Sequence, residues 1–439
     1  MAGPLRQVTA MTNAQGPTVI LGAGIIGLST AYHLALALRG QNNPILVADP
    51  SSGICLGASG QCEGALGEFG FDEQVQPLGK LSYKLYSELA ARAKAVSGHA
   101  FRSVGYSPLI VHTVFSHKYD PSNPRLPYPV AGPEELSKLP SWLRVQDSWK
   151  GGLINDGSTA ARVDPPTFCH FLQDECEKLG VEFLTYAEAV RIDQQAGEEV
   201  STLELRIGGS EIRQVACRNL IISAGSWSPA LFSRLFPSVD INLRLAPKQH
   251  VQTWLRFSAE DATDGKSVET DAEACHQVWL SPLDENDDIH ISSFTNGELY
   301  AAGALERVAG KTPPLPENVQ PSPKELDELE ERVRRYVYLD KRRMLNNGKA
   351  FMPAVPQGRP IMDRVPPEIF ASRMNSSKEG HSLDVFLSFG HDLDGFTLGL
   401  GSGKVMAELL LAEESSIDMS PFKLPLKDQR QAGLNCTIL

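Results

Sequence analysis

The spacing of apolar residues changes period along the chain, and each change marks an element. Residues 18–21, TVIL, are a short apolar run. Residues 25–39 carry apolar positions at helical spacing, and 44–49, PILVAD, are a second apolar run that ends in an acid. Short runs without polar alternation predict strands buried on both faces. Strand, glycine turn, helix and strand in succession predict a βαβ unit. Residues 1–16 are polar and unpatterned and read as a loose leader.

Beyond this unit, 57–70 (GASGQCEGALGEFG) is a loop of small residues, and 74–96 has amphipathic helical spacing. Residues 100–150 mix short strands with proline-rich loops. The stretch 163–180, VDPPTFCHFLQDECEKLG, has Pro near its start and Gly after its end, the signature of a bounded helix. Residues 181–185, 188–192 and 219–225 (NLIISAG) read as strands. From 240 to 310 the pattern becomes alternating, in HVQTWLRF, HQVWL, DIHISSF and ELYAAGA, which predicts an antiparallel sheet. A charged amphipathic helix is predicted over 323–346, a strand over 385–389 and a last helix over 403–413. Together these give an α/β chain. A Rossmann-like cofactor domain is assembled from discontinuous segments (17–95, 151–235 and 350–415), beside a β-rich antiparallel substrate domain (96–150 and 236–349). Residues 416–439 form a tail.

Gly22-x-Gly24-x-x-Gly27 sits at the strand-to-helix turn, with Ile25 and Ile26 opening the helix. The first glycine permits the tight turn, the second lets backbone approach a pyrophosphate, and the third lets helix and strand pack closely. The helix N-terminus then faces the phosphates. Asp49 ends the second strand 22 residues beyond Gly27, where its carboxylate can take ribose hydroxyls. No second fingerprint of this kind is present, and the chain returns to glycine-rich turns at Ala224-Gly225 and at 390–403. That favours FAD lying extended across one domain over a pair of nucleotide sites.

Composition narrows the class. Across 439 residues the net charge is −12, which argues against a nucleic-acid partner. Seven cysteines (55, 62, 169, 176, 217, 275 and 436) form no CxxC and no metal-like spacing, so neither a disulfide framework nor a metal site is expected. Reduced thiols predict an intracellular, cytoplasmic protein. No run of residues suggests a membrane span. The chain ends Cys436-Thr-Ile-Leu439, which fits a geranylgeranylation signal. One lipid beside the sparse Lys423, Lys427 and Arg430 predicts weak anchoring at most.

The fingerprint, together with GASGQCEG, DGSTAARVDP, NLIISAGSWS and GRPIMDRVP before GHDLDGFTLG, resembles the FAD-dependent oxidoreductases of the D-amino-acid oxidase and sarcosine oxidase group. The resemblance covers residues 17–415. It implies that Ala58, Ser59 and Gly60 lie along the pyrophosphate and ribityl chain and lead Gln61 and Gly64 toward the isoalloxazine. Val190 would meet adenine through its backbone, Ala224 and Gly225 would close over the cofactor, and Gly395, Phe396 and Thr397 would line the flavin ring. Two departures stand out. The position of the flavin-linking cysteine of sarcosine oxidases is Ala350, so the FAD is expected to be non-covalent. The loop that carries carboxylate-binding arginines in those enzymes reads CEGALG, which points toward a larger amine or away from amino acids.

The implied chemistry is oxidation of a C–N bond, with hydride passing to FAD and electrons to O2 to give H2O2. An oxidase or dehydrogenase of an alcohol or ring carbon, and a non-catalytic flavin-fold trafficking factor, stand as alternatives. Lys248, His391 and Asp394 are the candidate catalytic residues, and His250, Tyr300 and Glu63 the candidate substrate contacts. Cys62 is a candidate redox thiol against the simpler reading of a packed one. The stretch 389–404, FGHDLDGFTLGLGSGK, fails as a phosphate loop, because Leu398 and Val405 stand where Gly and Ser or Thr are needed.

Overall fold

The computed structural model describes residues 16–97, 106–116, 132–134, 136–146, 149–193, 200–239, 241, 243–259, 274–280, 289–303, 306–308, 312–371 and 383–425. The N-terminal unit forms as its pattern predicts: β1 (Thr18–Leu21), α1 (Ile25–Ala37) and β2 (Ile45–Ala48), with every strand residue buried. β1 and β2 pair in parallel, Thr18 opposite Ile45. The sheet runs in the order Ile361–Arg364, Asp384–Phe389, Asn219–Ile222, β1, β2, Glu182–Leu184. All its pairings are parallel except that of Ile361–Arg364, the edge strand.

Burial on both faces explains the unbroken apolar runs. One face is covered by helices α1, Gln76–Ser97, Pro165–Lys178 and Gly399–Leu411, which share a core of Ile20, Val47, Leu28, Phe168, Leu172 and Val405. The other is covered by a three-stranded antiparallel sheet, Ala187–Asp193, Ser201–Ile207 and Glu211–Cys217, whose Ala189, Leu203 and Leu205 meet Val19, Leu21 and Ile222. The C-terminal helix lies so close to α1 that a Cβ on Gly403 would stand 2.1 Å from Ser29 Oγ. The predicted start at 403 is four residues late: Gly399 and Gly401 belong to the helix as packing residues, although glycine is a poor helix former.

The second sheet has ten strands in the order Glu306–Val308, Gln249–Phe257, Leu299–Ala302, Ile289–Ser293, Cys275–Leu280, Ser107–Ser116, Trp149–Arg162, Ala65–Gly67, with Met344–Met352 pairing Gln249–Phe257 and Gly132–Glu134 pairing Trp149–Arg162. It is antiparallel apart from the parallel pair Cys275–Leu280 and Ser107–Ser116. Two expectations are corrected here. Residues 151–162, assigned with 151–235 to the cofactor segments, belong to the strand Trp149–Arg162, which pairs along Ser107–Ser116 in this sheet. The helix predicted over 323–346 stops at Tyr336, because 344–352 is needed as a strand. Its start is as strong as sequence allows, with Ser322 and Glu325 forming a reciprocal capping box.

The loop from Gly57 to Gly64 leaves the parallel sheet and enters the ten-stranded one through Ala65–Gly67. It therefore lies at the junction of the two sheets. Among the described residues no helix is long and apolar enough to cross a membrane, and no group of three or more His, Cys, Asp or Glu is arranged to hold a metal. The C-terminal Cys436 lies outside the described residues.

Candidate active site

A cavity partly open to solvent runs from the end of β2 past the glycine turn to the turn that begins at His391. At its near end Gly22, Gly24, Ile25 and Ile26 form the wall. Gly22 has φ +113, and a Cβ on Gly27 would meet Gly22 O at 1.9 Å, so turn and helix are locked together only with glycine at both places. Gly24 is the N-cap of α1 and brings no side-chain acceptor of its own, so the positive end of the helix opens on the cavity. Ser59 Oγ accepts from Ile25 N at 3.0 Å and so ties the 57–64 loop to this turn.

Asp49 Oδ2 accepts from Ala23 N at 2.8 Å and Oδ1 from Ser51 N at 2.9 Å. Burial pushes its carboxyl up, against those two N–H donors, which draw it down. Two carboxylate oxygens offer about four acceptor sites, so hydroxyl donors can still be received. Ala187, Glu188 and Ala189 line the cavity beside Asp49, while Val190 does not. The strand slips by one residue between Ala189 and Arg191, which displaces Val190, the residue implied by the resemblance, from the wall. Ala224, Gly225 and Trp227 close the side, with Trp227 Nε1 donating to Pro313 O at 2.7 Å.

The far end is built from Ala58, Ser59, Gln61 and Cys62 on one side, 350–353 and Ser388–Phe389 on another, and His391, Asp392, Leu393, Gly395 and Phe396 on a third. Gly60, Gly64 and Thr397 lie behind this wall. A Cβ on Gly60 would stand 2.1 Å from Cys55 O and one on Gly64 2.1 Å from Val163 O, while Thr397 Oγ1 donates to Ala65 O at 2.8 Å. Ala350 is a wall residue and has no nucleophile. Cys62 is on the wall too, but burial pushes its thiol up to about 12, so it is a protonated, packed thiol rather than a reactive one.

The candidate catalytic residues separate. His391 is buried in the wall; its Nε2 lies 2.9 Å from Ser402 Oγ, and burial lowers its pKa to about 3, so the ring is neutral. Asp394 is half-buried behind the same turn, and burial, Asp392 and Asp72 raise it to about 7. Lys248 is not brought to the cavity: it is exposed, one residue before the strand Gln249–Phe257 begins. His250 sits on that strand with Nδ1 at 2.7 and 2.9 Å from the two carboxylate oxygens of Asp392. Asp392 is the residue that the sequence reading passed over for Asp394. Its φ of +49 turns it onto the wall, and three residues between His391 and Gly395 leave parity with no meaning.

Tyr300 and Glu63 are absent from the wall and support it from the ten-stranded sheet. Tyr300 OH donates to Gln61 O at 3.3 Å and its ring stacks on Trp254 at 5.5 Å, while Trp254 Nε1 donates to Gln61 Oε1 at 3.1 Å. Gln61 is thus gripped at backbone and side chain. Glu63 is buried and receives Gln277 Nε2 at 2.7 Å, His290 Nε2 at 3.1 Å and Ser292 Oγ, with Arg162 Nη1 at 4.0 Å. Burial would raise its carboxyl, but His290, Arg162 and Ser292 together hold it at about 2. The wall residues with no local sequence signal are Trp227, Arg234, 314–316 and 351–353, which arrive from distant parts of the chain.

This arrangement fits FAD: a helix N-terminus for the pyrophosphate, an acid beside it, and a largely apolar far end with one carboxylate, Asp392, on its wall. The family model described as FAD dependent oxidoreductase matches residues 18–409, and the chain belongs to that family. It is a flavoenzyme, an FAD-dependent oxidoreductase. An uncharacterized oxidoreductase of Bacillus subtilis is 22% identical over 428 residues, covering 92% of this chain and 97% of that one. A glycine oxidase of Bacillus licheniformis is 24% identical over 243 residues, 50% of this chain and 56% of its own length. The crystal structure of glycine oxidase from Geobacillus kaustophilus superposes with a TM-score of 0.68 at 17% identity, covering 93% of this chain and 98% of that one.

Proposed function

We propose that the chain oxidises a C–N bond of a small amine, using non-covalently held FAD and O2 as final acceptor, with release of H2O2. FAD supplies the acceptor for the hydride; the protein binds, orients and shields. In this reading Gly22, Gly24 and the opening turn of α1 hold the pyrophosphate. Asp49 takes the ribose, Ala189 lies along the adenine, and Gln61, Met352, Gly395 and Phe396 border the ring. Lys248, being exposed, has no part in it, and neutral His391 serves as a hydrogen-bonding wall residue rather than a proton donor. The observation that carries the reading is the single continuous cavity joining the GxGxxG turn to the Gln61 and His391 walls.

Anaerobic mixing of the purified yellow protein with a panel of amines and alcohols tests it. Flavin bleaching by amines, followed by peroxide formation on admitting O2, is expected. Bleaching by alcohols alone would transfer the activity to a C–O bond, and a protein that takes up no FAD would overturn the reading.

A further inference from the structure

The far wall of the cavity has a defined charge. Its described charged groups are Asp49, Glu188 and Arg234 at the near end and Asp392 at the far end. Arg234 is the one arginine among the described wall residues, and it is committed: Nη1 donates to Glu188 Oε1 and to Ala189 O at 3.5 Å. His391 is on the far wall but is bonded to Ser402 and buried.

Asp392 differs from its surroundings in three ways. It is a non-glycine residue in the left-handed region, a conformation that Asp tolerates but that structures retain chiefly where something requires it. Its carboxylate is fixed by His250, whose Nδ1 carries the shared proton because a carboxylate only accepts. That bond uses a fraction of the acceptor capacity of the two oxygens and leaves lone pairs for a donor in the cavity. Asp392 is the one charged group at this end among the described wall residues, and Asp394 lies close enough to feel its charge, whereas Asp72 is paired with Arg359 at 3.3 Å, so the local field is the negative one of Asp392. Leu393, 48% exposed, and Phe351 and Met352 on the wall supply an apolar surface beside it.

We propose that Asp392, oriented by His250, is the ammonium-recognition residue of the site, and that the substrate is an alkyl- or arylalkylamine with no carboxylate on the reacting carbon. The proposal rests on the C–N oxidase reading above. A cationic nitrogen gains a charge-assisted hydrogen bond at Asp392 while its hydrocarbon lies on Leu393 and its neighbours. An amino acid would set its carboxylate against the same negative field. The net charge of −12 draws cations and repels anions at longer range.

The test uses two isosteric probes that lack an oxidisable α C–H: tert-butylammonium and pivalate. Each is titrated into the holoprotein by calorimetry, with the flavin absorbance followed in parallel. Tert-butylammonium should bind at least tenfold more tightly than pivalate. Asp392→Asn, which keeps an αL-tolerant residue and roughly the same shape, should bring the ratio near one, and His250→Gln should reduce it part of the way. A merely structural role for either residue would weaken both probes alike and leave the ratio unchanged, which overturns the proposal. So does tighter binding of pivalate, or no measurable binding of tert-butylammonium. If amines bleach the flavin and the ratio ignores Asp392, this inference alone falls. If the ratio behaves as expected and amines do not bleach the flavin, the oxidase reading falls and the cation site stands. A protein without FAD overturns both.

Discussion

Replacing Glu63 by Gln removes the charge on which His290, Ser292, Gln277 and Arg162 converge beneath the Gln61–Cys62 wall. The fall of its carboxyl from an ordinary 4.5 to about 2 corresponds to about 3 kcal/mol of folded-state preference for the charged form. Removing it also strands Arg162, whose side chain is fully buried and whose Nε and Nη2 have no hydrogen-bond partner among the described residues. Breaking one side of a buried ion pair costs about 3 to 5 kcal/mol, whereas removing both sides costs far less. A double-mutant cycle with Glu63→Gln and Arg162→Met, read from urea midpoints at pH 7, is therefore expected to show a coupling of at least about 1 kcal/mol. The pH dependence has a definite sign. The folded carboxyl is depressed, so its stabilisation is present above about 4.5 and is lost as pH falls through about 2, and Glu63→Gln should flatten that acid limb. Because Glu63 underlies Gln61, the single variant should also lose FAD more readily on dilution. A loss below about 1 kcal/mol, or strictly additive variants, would refute the reasoning.

Asp394→Asn should act in the opposite direction. A carboxyl raised to about 7 contributes stability that is full below about 4 and lost as pH rises through 7, so the variant should melt higher at pH 8 and match the parent below pH 4. Gly27→Ala would drive a Cβ to 1.9 Å from Gly22 O, and should cost at least about 2 kcal/mol and leave purified protein with little bound flavin by absorbance ratio. Acid precipitation should release all the flavin into the supernatant, since Ala350 has no nucleophile and Cys62 is held protonated; a yellow pellet would contradict this.

The near end of the site was legible because its determinants are local. The GxGxxG turn, α1 and Asp49 lie within one βαβ unit, and backbone geometry dictates the residue types. The far end was legible only in outline. Gly395 and Phe396 stand on the cavity wall, but Asp394, singled out because it precedes Gly395, does not; Asp392 does, and an irregular turn has no period from which to infer that. Lys248 failed for a related reason: alternation says which residues share a face once a strand exists, but not where the strand begins. His250 was found on the right strand, yet its partner is 142 residues away and no local pattern joins them. Glu63 and Tyr300 were expected to contact substrate and instead stand behind the wall, because a list of residue types cannot separate a wall residue from the one that braces it.

The order of strands in the parallel sheet bears on when this protein can be made. β1 has 219–222 as its neighbour on one side, and the strand beyond that is 384–389, both made long after it. The helix that covers α1 ends at Leu411. A nascent chain therefore carries the complete glycine fingerprint, with β1 paired only to β2, until those later strands emerge. The wall at 388–396 and the helix that covers α1 come from residues far beyond the fingerprint, so a chain cut between β2 and that helix keeps the dinucleotide signature and lacks that wall.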